Sequence, residues 1–157
     1  MGLLGACTST VPRRPASGIS PPQLTTAQIT AAVNAVRKAN GRSPLGYDHR
    51  LEAAARSQAQ LMAMRDQLSH DLGVTLRQRV TKVGYEGAVG ENVAGGHRTL
   101  EDAIGGWLNS PAHRDTLLSD KFTEFGLAVA AVPAGKHSRY GIYWAFIAGG
   151  SVEAWKV

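Results

Sequence analysis

The chain has 157 residues, of which 43% are hydrophobic and 18% charged. That is enough apolar material for one globular domain and argues against wholesale disorder. The net charge of +5 comes from 17 basic and 12 acidic residues scattered along the chain. It forms no basic stripe interleaved with aromatic residues, so nothing points to nucleic acid. No stretch approaches the ~20 apolar residues of a membrane-spanning helix.

Cys7 is the only cysteine, which rules out an intrachain disulfide and a Cys-based metal site. Leu4-Gly5-Ala6-Cys7 fits the box at which bacterial lipoprotein signal peptides are cut and the new N-terminal Cys is lipidated. Only three residues precede the box, so this reading expects a basic and apolar segment upstream of Met1. It places the protein outside the cytoplasm, secreted or lipid-anchored to the cell envelope, with Cys7 as the sole membrane contact. Residues 8–24 carry four of the seven prolines and read as a tether. The expected organisation is a lipobox-like start and tether over 1–24 and one folded domain over 25–157.

Thr25-x-x-Gln28 reads as a capping box opening a helix with Ile29, Ala32, Val33 and Val36 on one face. Gly41 reads as its stop. Asp48 caps a second helix carrying Leu51, Ala54, Ala55, Gln58 and Met62, with Leu61, Met64 and Leu68 widening the stripe. Ser69-His70 follows as that helix ends. A short helix is expected from Thr75 to Val83. From Gly84 to Gly106 there are seven glycines, a density that suits tight turns or close backbone approach around a site.

Gly90-Glu91-Asn92 reads as a turn leading into a short strand at Val93-Ala94. Thr99 caps the next helix, whose inner face is Leu100, Ala103, Ile104 and Trp107. Ser110-Pro111-Ala112-His113 is a helix start, with Ser at the N-cap, Pro at the first position and His113 at about the third. The positive end of that helix disfavours an imidazolium, and a neutral His is what a metal or a general base requires. Phe125 to Val132 and Tyr140 to Ala148 read as strands joined by the loop Pro133 to Arg139. Two strands alone are marginal, so further strands covered by helices are expected.

Glu91 and His113 lie 22 positions apart, and His70 lies 21 positions before Glu91. Two imidazoles and a carboxylate form a common zinc ligand set with an open fourth position. His97 sits in a Gly-rich loop, and His49 and His137 read as surface residues.

Taken together, Asn34-Ala35-Val36-Arg37, Ser69-His70, Gly90-Glu91-Asn92-Val93-Ala94, Trp107, Ser110-Pro111-Ala112-His113-Arg114, Phe125-Gly126-Leu127-Ala128-Val129 and Tyr143-Trp144 carry a resemblance. The chain resembles the CAP superfamily (SCP/TAPS, the cysteine-rich secretory proteins, antigen 5 and pathogenesis-related protein 1) in its disulfide-free bacterial branch. The resemblance covers about residues 25–150. It implies an α+β fold, a three-layer α-β-α sandwich around a central antiparallel sheet. It also implies a cleft whose family tetrad of two His and two Glu binds zinc or another divalent cation. His70, Glu91 and His113 match three of the four positions. Ser110 stands at the fourth, where the family has its second Glu, and lines the expected cleft with Asn92.

The function expected on this basis is an extracellular module binding a small-molecule, lipid, glycan or protein ligand. The alternative is a metal-dependent hydrolase in which Glu91 or His113 serves as ligand or base. No Gly-x-Ser-x-Gly and no His-Glu-x-x-His supports catalysis.

Overall fold

A computed structural model of the chain describes residues 18–156. Cys7 and most of the expected tether lie outside those residues. The elements are α1 (Thr26–Ala39), β1 (Gly46–Tyr47), α2 (His49–Arg65), α3 (Leu76–Lys82), β2 (Ala88–Gly95), α4 (Leu100–Leu108), α5 (Pro111–Leu118), β3 (Glu124–Ala131) and β4 (Ile142–Gly150). A 3-10 turn, Val152–Trp155, follows.

The sheet has the order β1-β3-β4-β2. β4 pairs antiparallel with β3 on one side and β2 on the other, and the two-residue β1 lies parallel to β3. Alternation along β4 separates two cores. Ile142, Trp144, Phe146 and Ala148 face α1, α4 and α5. Tyr143, Ala145 and Ile147 face α2 and α3. All nine residues of β4 are buried, as expected of a strand covered on both faces. This is the expected α-β-α sandwich, with β1 as a parallel addition to the antiparallel sheet.

The helix starts follow the expected chemistry. Thr25 and Gln28 close a capping box on α1, Asp48 caps α2, and Thr99 accepts from the Asp102 amide. Thr75 and Gln78 form a second capping box on α3. Gly41, at φ 69°, follows the end of α1. Gly126 is required by close approach: a Cβ there would lie 2.0 Å from the Glu52 amide nitrogen. The N-terminal end of α2 packs directly on the β3 backbone at this point.

Four expectations are corrected. Gly90-Glu91-Asn92 is not a turn but the middle of an eight-residue strand, paired along its whole length with β4. Glu91 therefore projects from a strand rather than from a turn. α2 stops at Arg65, where Asp66 adopts a left-handed conformation, φ 51°, and its carboxylate accepts from the Tyr143 hydroxyl at 2.7 Å. Met64, at 70% exposure, and Leu68 consequently lie outside the core. Ser110 occupies the N-cap of α5, but its side chain makes no capping hydrogen bond. Finally, Ile19 and Leu24, within the segment read as tether, pack against the α1/α4/α5 core.

Candidate functional site

The site forms at the outer edge of β2, which among the described residues has β4 on one side and no strand on the other. Side-chain alternation sends Glu91 to the α2/α3 face and Asn92 to the α4/α5 face. Glu91 is 2% exposed at its side chain and meets Arg79 of α3, 1% exposed, in a two-pronged ion pair. Arg79 Nη1 donates to Glu91 Oε2 at 2.6 Å and Nη2 to Oε1 at 3.1 Å. His70 Nδ1 lies 2.9 Å from the same Oε1.

Three groups hold the loop that carries His70. Gln58 Nε2 of α2 donates to the Ser69 carbonyl at 2.5 Å. Arg79 Nη2 also donates to the His70 carbonyl at 3.1 Å. Glu91 fixes the ring itself. The outer part of the imidazole remains in solvent, since the His70 side chain is 56% exposed. With Nδ1–H given to the carboxylate, Nε2 is the free nitrogen. The Glu91 hydrogen bond raises the His70 pKa against the opposing effects of burial and the Arg79 charge.

His113 reaches the same edge from the opposite helical layer. It is the third residue of α5, and Asn92 Nδ2 donates to its carbonyl at 2.8 Å. Burial, and secondarily the His70 charge, lower the His113 pKa. Arg37 of α1 steadies the far end of α5 by donating to the Leu117 and Ser119 carbonyls at 2.8 and 3.1 Å.

Of the expected site residues, His70 and Glu91 are in direct contact, and His113 stands on α5 with its carbonyl held by Asn92, the neighbour of Glu91 in β2. Asn92 does not line a cleft: it is fully buried, on the face away from Glu91, as a strut between β2 and α5. Ser110 is partly exposed, one turn before His113. His97 packs its ring near Gly106 and offers its carbonyl to the Trp144 indole, while His49 and His137 are exposed. Cys7 lies outside the described residues.

Arg79 was missed by the sequence reading. The signal available was indirect: a carboxylate placed inside needs a cation, and Arg79 adjoins Val80 on the inward side of α3.

These contacts test the zinc set. A three-ligand site does not fit, because both Glu91 oxygens are engaged by Arg79 and a guanidinium stands where a cation would approach. Among the described residues no three His, Cys, Asp or Glu side chains are grouped to hold a metal ion, and Glu91 stands behind His70 as the hydrogen-bonded carboxylate that commonly orients a metal-binding His. A cleft of about 640 Å³ opens along the same edge, but its walls include neither imidazole nor Glu91.

Comparison with known proteins agrees with the fold. Residues 30–148 match the model of the CAP family, described as the cysteine-rich secretory protein family. The chain belongs to this family. It is 31% identical to the uncharacterized protein YkwD of Bacillus subtilis over 104 residues, which are 64% of this chain and 40% of YkwD. Among solved structures it is similar to an extracellular protein containing an SCP domain from Bacillus anthracis, at TM-score 0.67 and 24% identity, covering 83% of this chain and 45% of that one. An outer surface protein of Borrelia burgdorferi superposes at TM-score 0.69 and 21% identity, over 84% of this chain and 99% of that one. A cysteine-rich secretory protein of Staphylococcus aureus does so at 0.59 and 25%, over 80% and 38%. The chain thus spans less than half the length of YkwD and of the Bacillus anthracis protein.

Proposed function

We propose that this CAP domain is an extracytoplasmic binding module and that it presents His70 and His113 as a pair at the open edge of β2. The observation that carries this reading is the engagement of both Glu91 oxygens by Arg79 and His70. Glu91 is thereby a support for His70 rather than a free base or a metal ligand. His70 Nε2 and the His113 ring are the two donors available to a divalent cation or to a ligand's polar group. A cation held there would supply a Lewis-acidic point for anchoring a carboxylate or water. Placement outside the cytoplasm is supported by the extracellular and outer-surface relatives.

One observation favours the hydrolase reading: a carboxylate-oriented imidazole is also how a general base is built. No nucleophilic side chain hydrogen-bonds to His70 among the described residues.

Zinc titration by calorimetry tests the proposal on the wild type, His70→Ala, His113→Ala and Glu91→Gln. One zinc per chain is expected, lost in both His variants and weakened ~10–100-fold in Glu91→Gln, the range for an outer-shell partner. Zinc binding untouched by either His variant would refute the paired-imidazole reading. Ester or peptide turnover that disappears in folded His70→Ala would replace the binding module with an enzyme.

A further inference from the structure

We propose that the cleft beside the paired histidines is a separate binding site for an acidic saccharide, a sugar ring bearing a carboxylate. The inference does not depend on the role of His70 and His113, neither of which borders the cleft. The walls come from the end of α1, the start of β2, α5, the Ser119–Phe122 turn and the terminal 3-10 turn. A volume of about 640 Å³ suits a ligand of a few rings.

Trp155 forms one rim. Trp107 and Trp144 are buried, but Trp155 is 44% exposed. Phe122 packs beneath it, with ring centroids 5.4 Å apart and a tilt of 45°, and Lys121 Nζ lies 4.5 Å from the indole centroid. An indole held at a cleft mouth offers a flat apolar surface with a polar edge. The C–H face of a sugar ring is the complementary shape.

The charges select the acidic kind. Arg42 is engaged by Asp120. Among the described residues, Arg114 Nη2 donates only to the neutral Asn40 Oδ1, at 2.9 Å. Lys121 lies against the Trp155 ring. Among the described residues, Arg114 and Lys121 have no carboxylate partner, so both can receive one from a ligand. A guanidinium does this with two parallel N–H donors. Asp115, also lining the cleft, has no cation partner among the described residues and offers acceptors for hydroxyl groups. A neutral sugar would leave Arg114 and Lys121 unused. An acyl chain would desolvate all of these charges.

The test is calorimetric titration of the full chain with trigalacturonate, with maltotriose as the neutral trisaccharide and acetate at matched carboxylate concentration as the bare anion. Tryptophan emission is read in parallel, and circular dichroism checks that each variant is folded. The expected result is saturable binding of trigalacturonate, at least tenfold weaker binding of maltotriose and none of acetate. Trp155→Ala and Arg114→Gln should each weaken binding at least tenfold, and His70→Ala should leave it unchanged. Equal binding of maltotriose, an acetate response equal to that of trigalacturonate, no saturable binding of trigalacturonate, or affinity unaltered in Trp155→Ala would overturn the proposal.

Discussion

At the scale of single residues, the Arg79–Glu91 pair sets the terms for everything around it. Both side chains are buried, and a buried pair contributes little net stability but is severely disrupted when one partner is removed. Arg79→Met should therefore destabilise the fold by about 3–5 kcal/mol, read as a fall in the urea midpoint. Replacing both partners with apolar residues should recover much of that loss. The two histidines should titrate on opposite sides of the ordinary value, ~6.5. NMR of the ring protons should place His70 above it and His113 below it, and Glu91→Gln should bring His70 down. The linkage signs differ accordingly. The raised pKa of His70 gives stability that is complete below the unfolded value and lost as pH rises through its folded pKa. The lowered pKa of His113 gives stability present above the unfolded value and lost as pH falls through its folded pKa.

Among the elements, α3 and the α2–β3 contact are where small changes have the clearest consequences. Thr75→Ala removes one half of the capping box from a seven-residue helix. It should cost about 1 kcal/mol in a urea titration, and it should loosen the helix that holds Arg79. Gly126→Ala places a methyl group onto the α2 backbone, with Glu52 N at 2.0 Å and the Leu51 carbonyl carbon at 2.4 Å. No flexible side chain can move aside there, so the loss should reach or exceed the ~1–3 kcal/mol of ordinary overpacking, measured as a lower Tm. The helix starts were legible in the sequence because capping chemistry is local: Thr25, Asp48, Thr99 and Pro111 each announce themselves within four residues. β2 was less so. Gly90-Glu91-Asn92 has the composition of a turn, and only pairing with β4, more than fifty residues away, makes it a strand. The site was half legible for the same reason. His70, Glu91 and His113 are visible through the family resemblance that their motifs carry, whereas Arg79 enters through tertiary neutralisation of a buried carboxylate, which leaves no local mark. The burial of Asn92 follows from that strand too, since alternation turns it away from Glu91.

In the whole molecule, β4 is the common wall of both cores. Hydrogen exchange should show this directly. Amides of Ile142–Gly150 should exchange only through global unfolding, while those of the 66–75 connection should open locally and faster. The measurement would fail the picture if β4 exchanged as readily as that loop. The position of β4 in the chain also has a temporal meaning. The apolar stripes of α1, α2, α4 and α5 find their shared wall only in strands supplied by the last third of the sequence. A nascent chain that has reached Leu118 has its helical segments but no sheet centre on which to bury them. Folding must then wait for distant pairings, which are slow to form because the loop-closure entropy comes first. Until residues 124–150 are made, the helical stripes lack the sheet that buries them.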